Sequence, residues 1–156
     1  MSNSPRFSHL DDLEYQEVRR IGIGDREISV REKWLDFSPE YLSFYAKWDP
    51  GMIVQPHGHN SNHVIFVLEG DMMCGDVVCR KGGHIALDQG DTFGPFVAGP
   101  SGVELFEVMM GEPRSVAADP EGHDRVLADP GPPPPPQPPT HTPTAIQPPR
   151  SSTGDR

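Results

Sequence analysis

Three imidazoles fall within seven residues, at His57, His59 and His63, in the run Gly51-Met52-Ile53-Val54-Gln55-Pro56-His57-Gly58-His59-Asn60-Ser61-Asn62-His63 that Gly70 closes. Neutral imidazole is the commonest protein ligand for zinc, iron, copper and nickel, so this density of histidine predicts a mononuclear transition-metal centre. His57 and His59 are two apart, and on an extended segment 53–59 both rings leave the same face. Asn60, Ser61 and Asn62 are types that a three-residue hairpin loop tolerates, which lets His63 open a returning strand, 63–68. In that register His59 and His63 are cross-strand neighbours, about 5 Å apart at the β-carbons, with His57 one pleat away. An isolated His-x-His often marks only a solvated strand face; His63 and the bracketing glycines favour the metal.

Further candidates surround this trio. Gln55 shares the parity of His57 and His59, which places its amide to bond a substrate oxygen. Tyr45, Glu104 and Glu107 lie on strands that could line the same pocket, although no general base can be assigned before its reach to a substrate is known. His84 alternates with Ile85 and Leu87 and is expected on the opposite side of its strand. Cys74 and Cys79 flank Gly75-Asp76; with a tight turn there, Met72, Cys74, Val77 and Cys79 share a face. The two cysteines are expected to be reduced thiols, buried as small apolar residues rather than serving a soft metal.

The elements that must position these side chains read as short strands: 17–21, 27–35, 42–48, 53–59, 63–68, 72–74, 77–80, 84–87, 93–97 and 103–109. Gly22-Ile23-Gly24-Asp25 and Asp49-Pro50-Gly51 are turn signals between them, and no amphipathic helix is evident. Such a series predicts an all-β, double-sheet jelly-roll barrel with a side-chain-lined interior suited to a small molecule. Residues 1–16 form an N-terminal extension and 17–116 the barrel. From 117 to 156 the chain is rich in Asp, Pro and Gly and holds most of the 19 prolines, so it is expected to be a disordered tail. The run Pro132 to Pro136 could meet an SH3- or WW-like groove, or serve only as a solubilising tail.

The net charge is −10 and no basic cluster offers phosphate a site, which argues against nucleic acid and anionic membranes as partners. No apolar run has the length of a signal peptide or a membrane span, so a cytoplasmic protein is expected.

Gly51-x5-His57-x-His59-x3-His63-x6-Gly70 resembles the first motif of the cupin superfamily, G-x5-H-x-H-x3/4-E-x6-G, and departs from it once, with His63 in place of glutamate. The second motif, G-x5-P-x-G-x2-H-x3-N, is matched more weakly across Lys81 to Phe93, and Phe93 falls where that family has its fourth ligand, a histidine. The resemblance covers about Leu42 to Gly111. It implies a cupin barrel, pairing as a homodimer, with a divalent metal held by His57, His59 and His63. Iron is the first expectation, with zinc, nickel or manganese as alternatives. The function implied is that of a metal-dependent enzyme, of the dioxygenase or isomerase kind, acting on a small anionic or enolisable substrate. A non-catalytic cupin that binds or senses a small molecule is the alternative, with Phe93 walling an apolar pocket and the metal site degenerate.

Overall fold

The computed structural model describes residues 4–117. The expected tail, with its proline run and any partner for it, lies outside the described residues. After a single 3-10 turn, Leu10–Asp12, the described chain is built of strands. These are β1 (Gln16–Ile23), β2 (Arg26–Phe37), β3 (Leu42–Trp48), β4 (Ile53–Val54), β5 (His57–Cys74), β6 (Val77–Arg80), β7 (His84–Leu87) and β8 (Phe96–Ala117). All pair antiparallel, in the order β1-β2-β3-β8-β5-β6, with β4 on β8 and β7 on β5. The result is the expected jelly-roll barrel. No helix among the described residues is long and apolar enough to cross a membrane.

Turn chemistry sets the joints. Ile23 pairs with Arg26 and Cys74 with Val77, so each hairpin turns on a Gly-Asp pair. Gly24 and Gly75 hold φ of 59° and 60°, as a type II′ turn demands at its first central residue. Asp49-Pro50-Gly51-Met52 closes with the Met52 N–H on the Asp49 carbonyl at 3.1 Å and Gly51 at φ 75°, a type II turn with proline and glycine in their preferred places.

Alternation then builds the core. On β3, Leu42, Phe44 and Ala46 are buried, and on β8 Val103, Leu105, Glu107 and Met109 are buried while Phe106 and Met110 face out. Ile28, Val30 and Trp34 come from β2, and Ile65, Val67 and Met72 from β5. Of the apolar residues between Trp34 and Trp48, Trp34, Leu42, Phe44 and Ala46 are core. Cys79 is buried and Cys74 half-buried, both as free thiols, and burial raises the pKa of each. Met72 faces Cys79 and Cys74 faces Val77 across the hairpin, the shared face expected from the turn.

Candidate metal centre

The predicted hairpin at Asn60-Ser61-Asn62 is absent; His57 to Cys74 is one strand. His59, Ser61, His63, Ile65 and Val67 are buried while Asn60, Asn62 and Phe66 are exposed, so a period of two runs straight through the supposed loop. Asparagines at outward positions imitate loop composition, and one of them ties down a neighbouring loop, with Asn62 Oδ1 accepting from the Gln89 N–H at 2.8 Å.

All three histidines nevertheless meet. A straight strand rises about 3.3 Å per residue, so four residues would separate His59 from His63 by roughly 13 Å. Their ring centroids lie 5.1 Å apart, as do those of His57 and His59, each pair edge to face. The strand must therefore bend between them. It does so where its pairing with β8 jumps from His59↔Ser115 to Ser61↔Gly111, an irregularity that curls β5 around the barrel interior.

Two of the rings have one nitrogen fixed by a hydrogen bond. His57 Nδ1–H donates to the Gln55 carbonyl at 2.9 Å, which leaves the lone pair on Nε2. Burial, with smaller contributions from the charges of Arg19 and His63, lowers the His57 pKa to about 4, so the ring is neutral at neutral pH. His63 Nε2–H donates to Glu107 Oε2 at 2.7 Å, between side chains that are both buried. That assignment puts the lone pair on His63 Nδ1, a buried atom without a hydrogen-bond partner. A carbonyl or carboxylate holding the far nitrogen is how proteins orient imidazole toward a metal.

Phe93 closes one side. It exchanges two 3.0 Å backbone bonds with His57, and its ring stands 5.0 Å from the His57 ring and 5.0 Å from Phe96. On the other side, Trp34 Nε1–H donates to Glu32 at 2.9 Å. Burial, reinforced by the nearby charge of Glu107, raises the Glu32 pKa to about 8. These groups enclose a cavity of about 90 Å³, lined by the three histidines, Glu32, Glu107, Arg19, Phe93, Phe96 and apolar side chains.

The candidates therefore divide. His57, His59, His63, Phe93 and Glu107 share the cavity. Gln55 does not, because its side chain is exposed and only its carbonyl serves the site. Tyr45 does not either: it lies on the outer face of β3, its ring 6.4 Å from Tyr15, while its neighbour Phe44 turns inward. Glu104 sits outward beside Lys47, and His84 is exposed. The expected strand at 93–97 begins at Phe96. Sequence reading missed Glu32 and Arg19. Glu32 had a signal, since it shares the inward parity of Val30 and Trp34; Arg19 reaches the cavity through a backbone irregularity that has no such pattern.

A divalent metal is what the resemblance implies, and the residues fit it in donor chemistry: three imidazoles lining one cavity, with one ring nitrogen of His57 and one of His63 fixed by a hydrogen bond. Among the described residues, no three His, Cys, Asp or Glu side chains are grouped as a ligand set. The trio is thus prepared in face and tautomer without being drawn to one point.

The architecture matches solved structures closely in outline. An RmlC-like cupin from Shewanella frigidimarina aligns with a TM-score of 0.58 at 22% identity, covering 72% of this chain and 96% of that one. The polyketide cyclase RemF from Streptomyces resistomycificus gives a TM-score of 0.60 at 22% identity, covering 78% and 94%. The fold is that of the cupins. A further match, a putative acetylacetone dioxygenase from Methylibium petroleiphilum, gives a TM-score of 0.62 at 14% identity over 78% of this chain and 86% of that chain. No family model matches the sequence, and no curated protein does so. Against the cupin motifs, this barrel has His63 in place of glutamate and carries a carboxylate on β8 instead, at Glu107, bonded to that same histidine.

Proposed function

We propose that this cupin is a metal-dependent enzyme in which His57, His59 and His63 hold a divalent transition metal, iron first and otherwise zinc, nickel or manganese, and present it to a small anionic or enolisable organic substrate. The observation that carries the reading is the succession of three imidazoles at 5.1 Å steps along the concave face of β5 inside one cavity. Bound there, such an ion supplies Lewis acidity toward a substrate oxygen. Three neutral ligands leave its charge largely uncompensated, which favours an anion. Glu107 fixes the His63 tautomer. Glu32, protonated at neutral pH, can donate a hydrogen bond or a proton from the wall. Phe93 and Phe96 exclude water from the side nearest His57.

A second reading, a non-catalytic cupin that binds or senses a small molecule, is favoured by Phe93 at the fourth-ligand position and by the ungrouped donors. Elemental analysis of protein purified without a histidine tag separates the two. Stoichiometric metal, lost in the H57A/H59A double variant, is expected. Protein that carries no metal after loading, or a double variant that keeps it, sinks the enzyme reading and leaves the second.

A further inference from the structure

β1 carries two consecutive arginines with opposite fates. Arg20 faces out and is doubly paired, through Nε and Nη2 to Glu17 at 2.7 and 3.1 Å and through Nη1 to Glu27 at 3.1 Å. Arg19 faces in and lines the cavity, and it takes part in none of the ion pairs of the described residues.

The backbone explains how. In a regular strand, neighbours point to opposite faces, so Val18 and Arg19 should not both look inward. Both line the cavity because the pairing of β1 with β2 skips: Glu17 faces Arg31, Arg19 faces Val30, and Val18 is the extra residue. A bulge of this kind re-aims a side chain, and bulges gather beside functional sites for that reason.

Inside, the guanidinium makes no ion pair among the described residues, and the one carboxyl whose charge acts on it is Glu32. The guanidinium remains ionised under any physiological condition. Glu107 is engaged by His63. Glu32 is bonded by Trp34 and stays protonated up to pH about 8, so at neutral pH it offers Arg19 a dipole rather than a charge. Burial lowers the Arg19 pKa, against a smaller opposing pull from Glu32. The field of Arg19 also reaches across the cavity, contributing to the depressed basicity of His57. A half-buried cation that no ion pair holds is unfavourable, and an anion entering the cavity would relieve it. The volume, about 90 Å³, is well under the roughly 300 Å³ at which pockets for drug-sized ligands begin, so the anion has few heavy atoms.

We infer that Arg19 is the anion-reading residue of the cavity, pairing with the carboxylate of a small organic acid whose other end faces His57, His59 and His63. The identification of the cavity as a site for a small anionic compound rests on the proposed function; the pairing with Arg19 does not need the metal.

The test is calorimetric titration of the full chain with acetate, propanoate and pyruvate, and with their uncharged amides, at constant ionic strength. It is run on metal-free and on zinc-loaded protein, for the wild type, R19Q and R19K. Saturable carboxylate binding is expected, with the amides weaker. R19Q should weaken the carboxylates by roughly 10- to 100-fold, the range of a hydrogen bond to a charged group, and leave the amides unchanged. R19K, which keeps the charge and loses the fork, should fall between. Carboxylates that bind R19Q as they bind the wild type, carboxylates and amides that bind alike, or a wild type that no carboxylate saturates would each overturn the inference. An R19Q protein that merely unfolds more easily, in a background where wild type shows no carboxylate preference, assigns Arg19 to the fold and also overturns it. Should zinc fail to bind while carboxylates still depend on Arg19, the metal reading falls and this one stands; zinc binding with an indifferent R19Q gives the reverse.

Discussion

Between Val30 and Trp34 on β2, Glu32 occupies an inward position, where burial and the charge of Glu107 lift its pKa from 4.5 to about 8. Between those two values the folded protein holds a proton that the unfolded chain has released. Stability from this group is therefore present at the acid end, falls as pH rises from about 4.5, and levels off above about 8. His57 works in the opposite sense: its folded pKa of about 4 lies below 6.5, so its contribution is lost as pH falls below 6.5. The E32Q variant isolates the first effect, because glutamine copies the protonated carboxyl and cannot ionise. Urea midpoints of the wild type should decline across the neutral range into the alkaline, and those of E32Q should not; an equal decline in both would place the titration elsewhere. Glu32 was missed although it carried a signal, since a carboxylate among apolar residues of one parity announces burial. Arg19 carried none, because a bulge breaks the parity that would have revealed it.

At the scale of elements, β3 and β7 fall where the apolar runs and turn residues place them, Leu42–Trp48 and His84–Leu87, and both Gly-Asp hairpins follow from one local rule. The trio's strand was harder. Asn60 and Asn62 carry the composition of a loop while Ser61 between them is buried, and only the unbroken alternation from His59 to Val67 distinguishes strand from turn. The convergence of the rings comes from a bend where β5 pairs with β8, a partner about a third of the chain away, which no local pattern encodes. Gly58 has a role in this that spacing alone hid. A β-carbon there would press on the backbone carbonyl of Asp91, in the loop that brings Phe93 against His57. G58A should therefore push that loop away, lowering stability by about 1–3 kcal/mol and weakening metal uptake. Denaturant midpoints and metal content report the two effects; a G58A protein matching the wild type in both would show that the loop yields freely.

For the whole molecule, the described strands already account for a closed core, with β8 ending at Ala117 opposite His57. A chain stopped after Ala118 should then keep the thermal midpoint and the metal content of the full-length protein. Loss of either would give residues 119–156 a part in the barrel. What composition did convey at this scale was one core, all strands and a polar, acidic exterior. It could not convey closure, because closure depends on which strand enters where. Here the strand that enters last in sequence lies between β3 and β5 in space. A chain emerging from the ribosome must therefore leave the facing edges of β3 and β5 unpaired until β8 has been made, and the wall of the histidine cavity stays incomplete until Glu107 and Met109 follow.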